Sequence, residues 1–171
     1  AFDIGAAGVQ VPQVTSATDV HRAIKNARFF PDGNRGVCRY VRAAGYSSID
    51  KSEYFKKAND NILILQLEGI DALRNFDEIV AVCGIDIIFI GPYDLSQSLG
   101  VPGGVDHPDV VKQVETICHR CREMQVTVGT FVESPEAARF WMQRGVRYVC
   151  YSVDVGLMYQ TCAGICRELR C

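Results

Sequence analysis

ILILQLE, residues Ile62–Glu68, is the segment that decides the fold of this chain. Its nearly continuous apolar run is typical of a parallel strand that is covered on both faces. A second apolar run, Ile87–Ile90, follows after the segment Asp71–Val82, which has apolar residues at helical spacing. Two such strands joined by a helix predict a parallel α/β unit with a right-handed crossover.

The same alternation extends outward from this unit in both directions. Further strands are predicted at Val9–Val14, Thr127–Val132 and Tyr148–Val153. Further helices are predicted to begin at Ser16, to span Pro108–Met124, to run from Ser134 to Arg144 and to fill the C-terminus. Five strands that alternate with helices indicate a parallel α/β sheet or barrel. The segment Arg28–Asn61 interrupts the pattern, and we expect a functional loop or minor structure there.

Length and charge limit the classes of function. A chain of 171 residues predicts a single domain. Its formal net charge is −2 and it has no basic patch, so we expect no nucleic-acid partner. No apolar run approaches the roughly 18 residues that cross a bilayer, and no signal-peptide pattern is visible, so we expect no membrane span and no secretory leader.

The chain contains eight cysteines, which is many for its length. Cys118 and Cys121 form a C-x-x-C that encloses His119, a pattern open to two interpretations. It is either a zinc or redox site or part of the buried stripe of a helix. No second ligand pair lies at zinc spacing, which favours packing, and we expect the same role for Cys162 and Cys166. Reduced cysteines in an α/β domain indicate a cytoplasmic protein.

Three polar residues follow the two central strands. Gln66 and Glu68 are two positions apart, so their side chains point to the same side of the strand. Asp94 lies just after the next strand, in the predicted turn GPYDLS, Gly91–Ser96. Active sites lie at the carboxyl ends of parallel strands, where two carboxylates about 4.8 Å apart can share a hard cation. Spacing alone leaves it equally open that both carboxylates cap helices or bind loop amides.

Longer motifs resemble the HpcH/HpaI aldolase family. They are QLEG (Gln66–Gly69), GIDIIFIGPYDLSQSLG (Gly84–Gly100), DHP (Asp106–Pro108), VPQV (Val11–Val14) and PDGNRGVCRYVRAAGYS (Pro31–Ser47). The resemblance covers almost the whole chain and implies a (β/α)₈ TIM barrel. We expect residues 1–171 to form a single, incomplete barrel domain, the C-terminal portion, with strands that correspond to about the fourth to the eighth of the family.

The resemblance also implies roles for individual residues. Glu68 and Asp94 match the family's ligands for a divalent metal, Mg²⁺, Mn²⁺ or Co²⁺. Gln66 matches the residue that contacts the bound 2-oxo acid, and Tyr93 matches the one whose backbone meets its carboxylate, beside Asp94. Asp3, in FDIGAAG, matches an aspartate that tunes the catalytic histidine. Tyr93 stands where many relatives have alanine, a change that would reshape the substrate pocket.

The implied activity is that of a metal-dependent class II pyruvate aldolase, a carbon–carbon lyase. It would cleave 4-hydroxy-2-oxo acids to pyruvate and an aldehyde, through a metal-stabilised pyruvate enolate. The family is oligomeric and commonly hexameric, so we expect a homo-oligomer. The family's catalytic histidine and pyruvate-binding arginine lie upstream of FDIGAAG, and we expect neither within this chain. His21, His107 and His119 are predicted to be solvated or to cap a helix.

Two alternatives to the aldolase remain open. One keeps the fold but changes the reaction to that of the related citryl-CoA or malyl-CoA lyases, which would need a site for CoA. No evident basic cluster for such a site stands out in the sequence. The other is a non-catalytic, truncated barrel that only assembles with partners.

Overall fold

The computed structural model describes residues 1–170 as one α/β layer structure. Five strands alternate with helices in chain order: β1 Gly8–Val11, α1 Ala17–Ala27, α2 Lys51–Asn59, β2 Ile62–Leu67, α3 Ile70–Arg74, α4 Phe76–Val80, β3 Ile87–Ile90, α5 Pro92–Ser98, α6 Pro108–Glu123, β4 Thr127–Val132, α7 Pro135–Gln143, β5 Tyr148–Tyr151 and α8 Asp154–Leu169. Short 3₁₀ segments cover Phe2–Ile4 and Arg42–Ser47.

All five strands pair in parallel, and their order in the sheet is the order in the chain, β1-β2-β3-β4-β5. The sheet curls into a half-barrel, which confirms the predicted α/β class and agrees with a partial TIM-barrel-like fold. In this register Gln66 of β2 lies beside Phe89 of β3, and Phe89 lies beside Gly129 of β4. The carboxyl ends of all strands therefore meet along one edge.

The main core lies between the outer face of the sheet and the helices. Leu65 and Leu67 on β2 and Ile88 on β3 are at most 1% exposed, as the apolar runs of the sequence predict. Helix α6 packs over this face with a stripe that includes Val114 and Cys121. A smaller, separate cluster consists of Phe29, Ala44, Tyr54 and Ala58.

The first and last strands are shorter than predicted. β1 ends at Val11 because the next residue, Pro12, has no N–H for the ladder. β5 ends at Tyr151 because Ser152 adopts a left-handed conformation, with φ of 51°. The predicted strands at residues 9–14 and 148–153 thus each continue into a loop.

The predicted helix Asp71–Val82 is two short helices, α3 and α4, that meet at Asn75. Asn75 has φ of −97° and ψ of 13°, outside the helical range. Its side-chain amide donates to the carbonyl of Thr15 at 2.9 Å. The helix is interrupted where Asn75 contacts this distant loop, and no local pattern in the sequence predicts that contact.

The segment Arg28–Asn61, where we expect a functional loop or minor structure, contains a regular helix, α2. Asp50 caps this helix by accepting from the backbone N–H groups of Ser52 and Glu53. Arg28 anchors the start of the segment, since its buried guanidinium donates to the Asn61 carbonyl and pairs with Asp86. The segment is therefore a tethered connection rather than a long free loop.

Helix α8 differs from every other long helix because none of its residues is buried. The expectation that Cys162 and Cys166 pack into the core is therefore wrong, and both thiols are exposed. They lie on an apolar stripe of the helix, which is why the sequence pattern suggested packing, but nothing within residues 1–170 covers that stripe. None of the helices in this part of the chain is both long and apolar enough to span a membrane.

Candidate active site

The inner face of β2 ends in a chain of polar side chains. Leu65 and Leu67 point into the outer core, so strand alternation directs Gln66 to the inner face. The side-chain N–H of Gln10 on β1 donates to the side-chain oxygen of Gln66, and the side-chain N–H of Gln66 donates to the Glu68 carboxylate. The other oxygen of Glu68 accepts from the backbone N–H of Gln13 at 3.0 Å. The Glu68 carboxylate is thus held by two neighbouring segments.

Gly91, the first residue after β3, brings its backbone close against this polar chain. A Cβ atom added there would lie 2.9 Å from Oε2 of Glu68 and 3.2 Å from Nε2 of Gln66. Any larger residue would force the Glu68 carboxylate to move, so glycine at this position leaves that carboxylate where it is. The turn after β3 is therefore shaped around the Glu68 carboxylate.

Asp94 lies in the first turn of the short helix α5, where the sequence predicted a plain turn. The turn that follows is tied to the helix by Ser96, which is fully buried. Its hydroxyl donates to the Tyr93 carbonyl at 2.6 Å and accepts from the Gly103 N–H at 2.9 Å. Asp94 is thus placed at the same edge of the sheet as Glu68, as expected for residues that follow neighbouring parallel strands.

A cavity of about 330 Å³ opens at this edge. All three predicted substrate-binding residues, Gln66, Tyr93 and Asp94, line it together. The remaining lining residues are Gln10, Phe89, Gly91, Pro92, Phe131 and Cys150. Its volume falls in the range of small-ligand sites.

The donor set at this edge fits a hard divalent cation. Carboxylate and amide oxygens are the ligands that Mg²⁺ prefers, and Mg²⁺ usually takes only one or two carboxylates and keeps several waters. Within residues 1–170, no group of three or more His, Cys, Asp or Glu side chains is arranged to hold a metal. Two carboxylates, those of Glu68 and Asp94, lie at this edge, which is a number that Mg²⁺ accepts.

Tyr93 makes a contact that the sequence does not predict. Its hydroxyl donates to the carboxylate of Glu133, the residue that follows β4. This hydrogen bond, followed by burial, raises the pKa of Tyr93 above its usual value. The sequence signal was present, because Glu133 follows β4 as Glu68 follows β2, but nothing in the sequence joined Glu133 to Tyr93.

Asp3 lies at the other end of the sheet from the polar cluster. It belongs to the 3₁₀ segment before β1 and forms an ion pair with Arg35. The guanidinium of Arg35 packs over the rings of Phe2 and Phe29, 5.1 and 4.6 Å from their centroids. The structure brings Gln66, Glu68, Tyr93 and Asp94 together, but it does not bring Asp3 to them.

The remaining candidate residues have structural positions. His107 caps α6, with its Nδ1 accepting from the Asp109 N–H at 3.3 Å, while His21 and His119 are exposed on helices. Cys118 and Cys121 are free thiols buried in the main core. This burial supports the packing interpretation of the C-x-x-C.

Comparison with known proteins identifies one family that this chain resembles over most of its length. The family model described as HpcH/HpaI aldolase/citrate lyase matches residues 1–161. The chain is 38% identical over 158 residues to the 2-keto-3-deoxy-L-rhamnonate aldolase of Escherichia coli (strain K12), an alignment that covers 91% of this chain. It spans 58% of the length of that relative.

Solved structures also resemble this chain over nearly its whole length. A HpcH/HpaI aldolase/citrate lyase family protein from Burkholderia cenocepacia J2315 superposes with a TM-score of 0.92 at 31% identity, covering 99% of this chain and 67% of that one. The citrate synthase SbnG superposes with a TM-score of 0.85 at 25% identity, covering 98% and 64%. The aldolase from Desulfitobacterium hafniense DCB-2 has a TM-score of 0.86 at 31% identity, covering 99% and 66%.

Proposed function

The chain belongs to the HpcH/HpaI aldolase/citrate lyase family, and from this premise we propose that it binds a divalent cation and a 2-oxo acid at the carboxyl edge of its sheet. The reaction served would be aldol cleavage of a 4-hydroxy-2-oxo acid to pyruvate and an aldehyde, or its reverse. One observation carries the proposal: the hydrogen-bonded chain from Gln10 through Gln66 to Glu68 ends beside Gly91, in the turn that leads to Asp94.

Different residues at this edge would bind the metal and the substrate. Glu68 and Asp94 would hold the cation, Mg²⁺, Mn²⁺ or Co²⁺. The amide of Gln66, oriented by Gln10, would position the oxo acid. The N–H of Tyr93 lies in the first turn of α5, where backbone donors have no partner within the helix. That donor would meet the substrate carboxylate.

The bound cation would supply Lewis-acid stabilisation of the negative charge that develops on the oxo-acid oxygen. The proton of the aldol hydroxyl must also be moved by a general base. Asp3, proposed from the family resemblance to tune such a base, lies at the far end of the sheet in this chain. A base that acts on substrate at the edge formed by Glu68 and Asp94 would therefore lie far from Asp3 of the same chain.

Metal titration tests the proposal directly. Mn²⁺ should bind this chain, as followed by electron paramagnetic resonance, and the bound ion should shorten the relaxation times of the methyl protons of added pyruvate. Glu68→Gln and Asp94→Asn should each weaken Mn²⁺ binding by at least about 10-fold, the lower end of what losing even an outer-shell partner costs. Asp71→Asn removes a nearby exposed carboxylate outside the cavity and serves as the matched control. Unchanged binding in both site variants would refute the assignment.

We also propose that the protein self-associates. Val155, Tyr159, Cys162, Cys166 and Leu169 form one stripe along α8, and all are exposed. An uncovered apolar stripe of this length, beside open sheet edges at β1 and β5, is typical of an interface. Light scattering at micromolar concentration should therefore show an oligomer, and the family resemblance points to a hexamer. Val155→Lys should shift the oligomer toward monomer. Gln160→Lys, which lies off the stripe, is the control and should leave the oligomer unchanged. A stable monomer of the unsubstituted chain would contradict the proposal.

A further inference from the structure

The cavity at the carboxyl edge has two chemically different halves. Gln10 and Gln66 lie on β1 and β2, at one side of the curled sheet. Phe89, Phe131 and Cys150 lie on β3, β4 and β5, at the other side. Because the strands follow one another in order across the sheet, the aromatic groups form one continuous side of the cavity, which begins with Phe89 directly beside Gln66.

The aromatic half is held in place by contacts outside the cavity. The Tyr93 ring packs against Phe131, with centroids 6.2 Å apart and planes tilted by 59°. Its hydroxyl is bound to Glu133, so α5 and the end of β4 are joined through this side chain. Phe89 is 5% exposed. It packs edge-on against Tyr148, with centroids 6.0 Å apart. The wall is therefore already formed without a ligand.

The hydrogen bond to Glu133 also decides which part of Tyr93 meets a ligand. Because the hydroxyl donates to the carboxylate, its proton is not available to a substrate group. The wall thus presents ring carbon atoms. A flat apolar group placed there would bury apolar area against the rings, whereas a hydroxylated chain would gain less from the same contact.

We propose that the wall of Phe89, Tyr93 and Phe131 receives the aldehyde half of the substrate, and that this aldehyde carries a flat apolar substituent such as an aromatic ring. The inference rests on the proposed function, because that function places the oxo-acid half against Gln66 and Asp94. Tyr93 and Phe131 are then specificity-determining residues. Glu133 is a positioning residue that acts through Tyr93.

Binding measurements with three 2-oxo acids test this in the presence of Mg²⁺. The probes are pyruvate, 4-hydroxy-2-oxo-4-phenylbutanoate and 4,5-dihydroxy-2-oxohexanoate, followed by ligand-observed NMR. The phenyl compound should bind about 10-fold more tightly than pyruvate, since the ring buries apolar area, and the dihydroxy compound should show no such gain. If pyruvate binds but the phenyl compound binds no better than the dihydroxy compound, the inference about the wall is overturned and the proposed function is not. Failure of pyruvate to bind would overturn the proposed function and this inference with it.

Variants at the wall separate its specificity from general binding. The readout is the ratio of phenyl-compound to pyruvate affinity within each variant, so a general loss of oxo-acid binding cancels. Tyr93→Ala should abolish the gain, and Phe131→Ala should reduce it. Glu133→Ala should reduce the gain by releasing Tyr93, and Glu133→Gln should restore it, because the glutamine amide oxygen can still accept the hydroxyl proton. A ratio that stays the same in Tyr93→Ala and in Glu133→Ala would overturn the assignment of the wall.

Discussion

Leu65 and Gln66 are neighbours on the central strand β2, yet they belong to two regions with opposite properties. Leu65, on the outer face of the sheet, is fully buried beneath helices. Gln66, on the inner face, is half-buried and hydrogen-bonded to Gln10 and Glu68. Alternate residues of one strand can therefore stabilise the fold, while the residues between them remain free for chemistry.

The largest effect is expected from the outer face. Leu65→Ala should lower the free energy of unfolding by about 2–5 kcal/mol, because it leaves a cavity in a fully buried site. Gln66→Leu, one residue along, should change that free energy by less than about 1 kcal/mol while weakening oxo-acid binding. Urea unfolding followed by circular dichroism measures both variants. Equal losses of stability would show that the two faces do not divide their roles.

A smaller effect is expected where the inner face meets the next strand. Gly91→Ala should push a Cβ atom against the Glu68 carboxylate, since the two would lie 2.9 Å apart. We expect weaker Mn²⁺ binding, because the carboxylate must move, and a loss of about 1 kcal/mol in unfolding free energy, the low end of the cost of overpacking. Gly69→Ala is the matched control, because a Cβ atom there meets nothing within 4 Å. Similar Mn²⁺ affinities in the two variants would contradict the close fit around Glu68.

The smallest effect near neutral pH concerns the ionisation of buried thiols on the helix side of the core. Burial raises the pKa of Cys118 to about 11 and that of Cys121 to about 12. Because the folded-state pKa values lie above the unfolded value, their contribution to stability is complete below about pH 8.5 and is lost as pH rises through the folded pKa values. The free energy of unfolding should therefore fall above that pH. Cys121→Ala should show a shallower fall between pH 8 and 11, and an unchanged slope would count against this account.

Parts of the fold escaped sequence reasoning for identifiable reasons. Helix α2 has a recognisable N-cap residue, Asp50, but its apolar residues are few and lie in a segment rich in Gly, Arg and Tyr, so no clear helical spacing is visible. The break at Asn75 arises from a hydrogen bond to Thr15, which is 60 residues away in the chain. The exposure of α8 could not be read from its apolar stripe, since a stripe indicates that a helix packs but not which surface covers it.

The sequence by itself determined the parallel order of β2 and β3 and the common side of Gln66 and Glu68. Both follow from local rules, the buried-strand pattern and the two-residue period of a strand. Only the tertiary structure decided that Gly91 lies against Glu68, that Glu133 holds Tyr93, and that Asp3 faces Arg35 at the opposite end of the sheet. The physical reason is that these contacts depend on how separate strands and their loops meet in space, which no spacing within a single segment encodes.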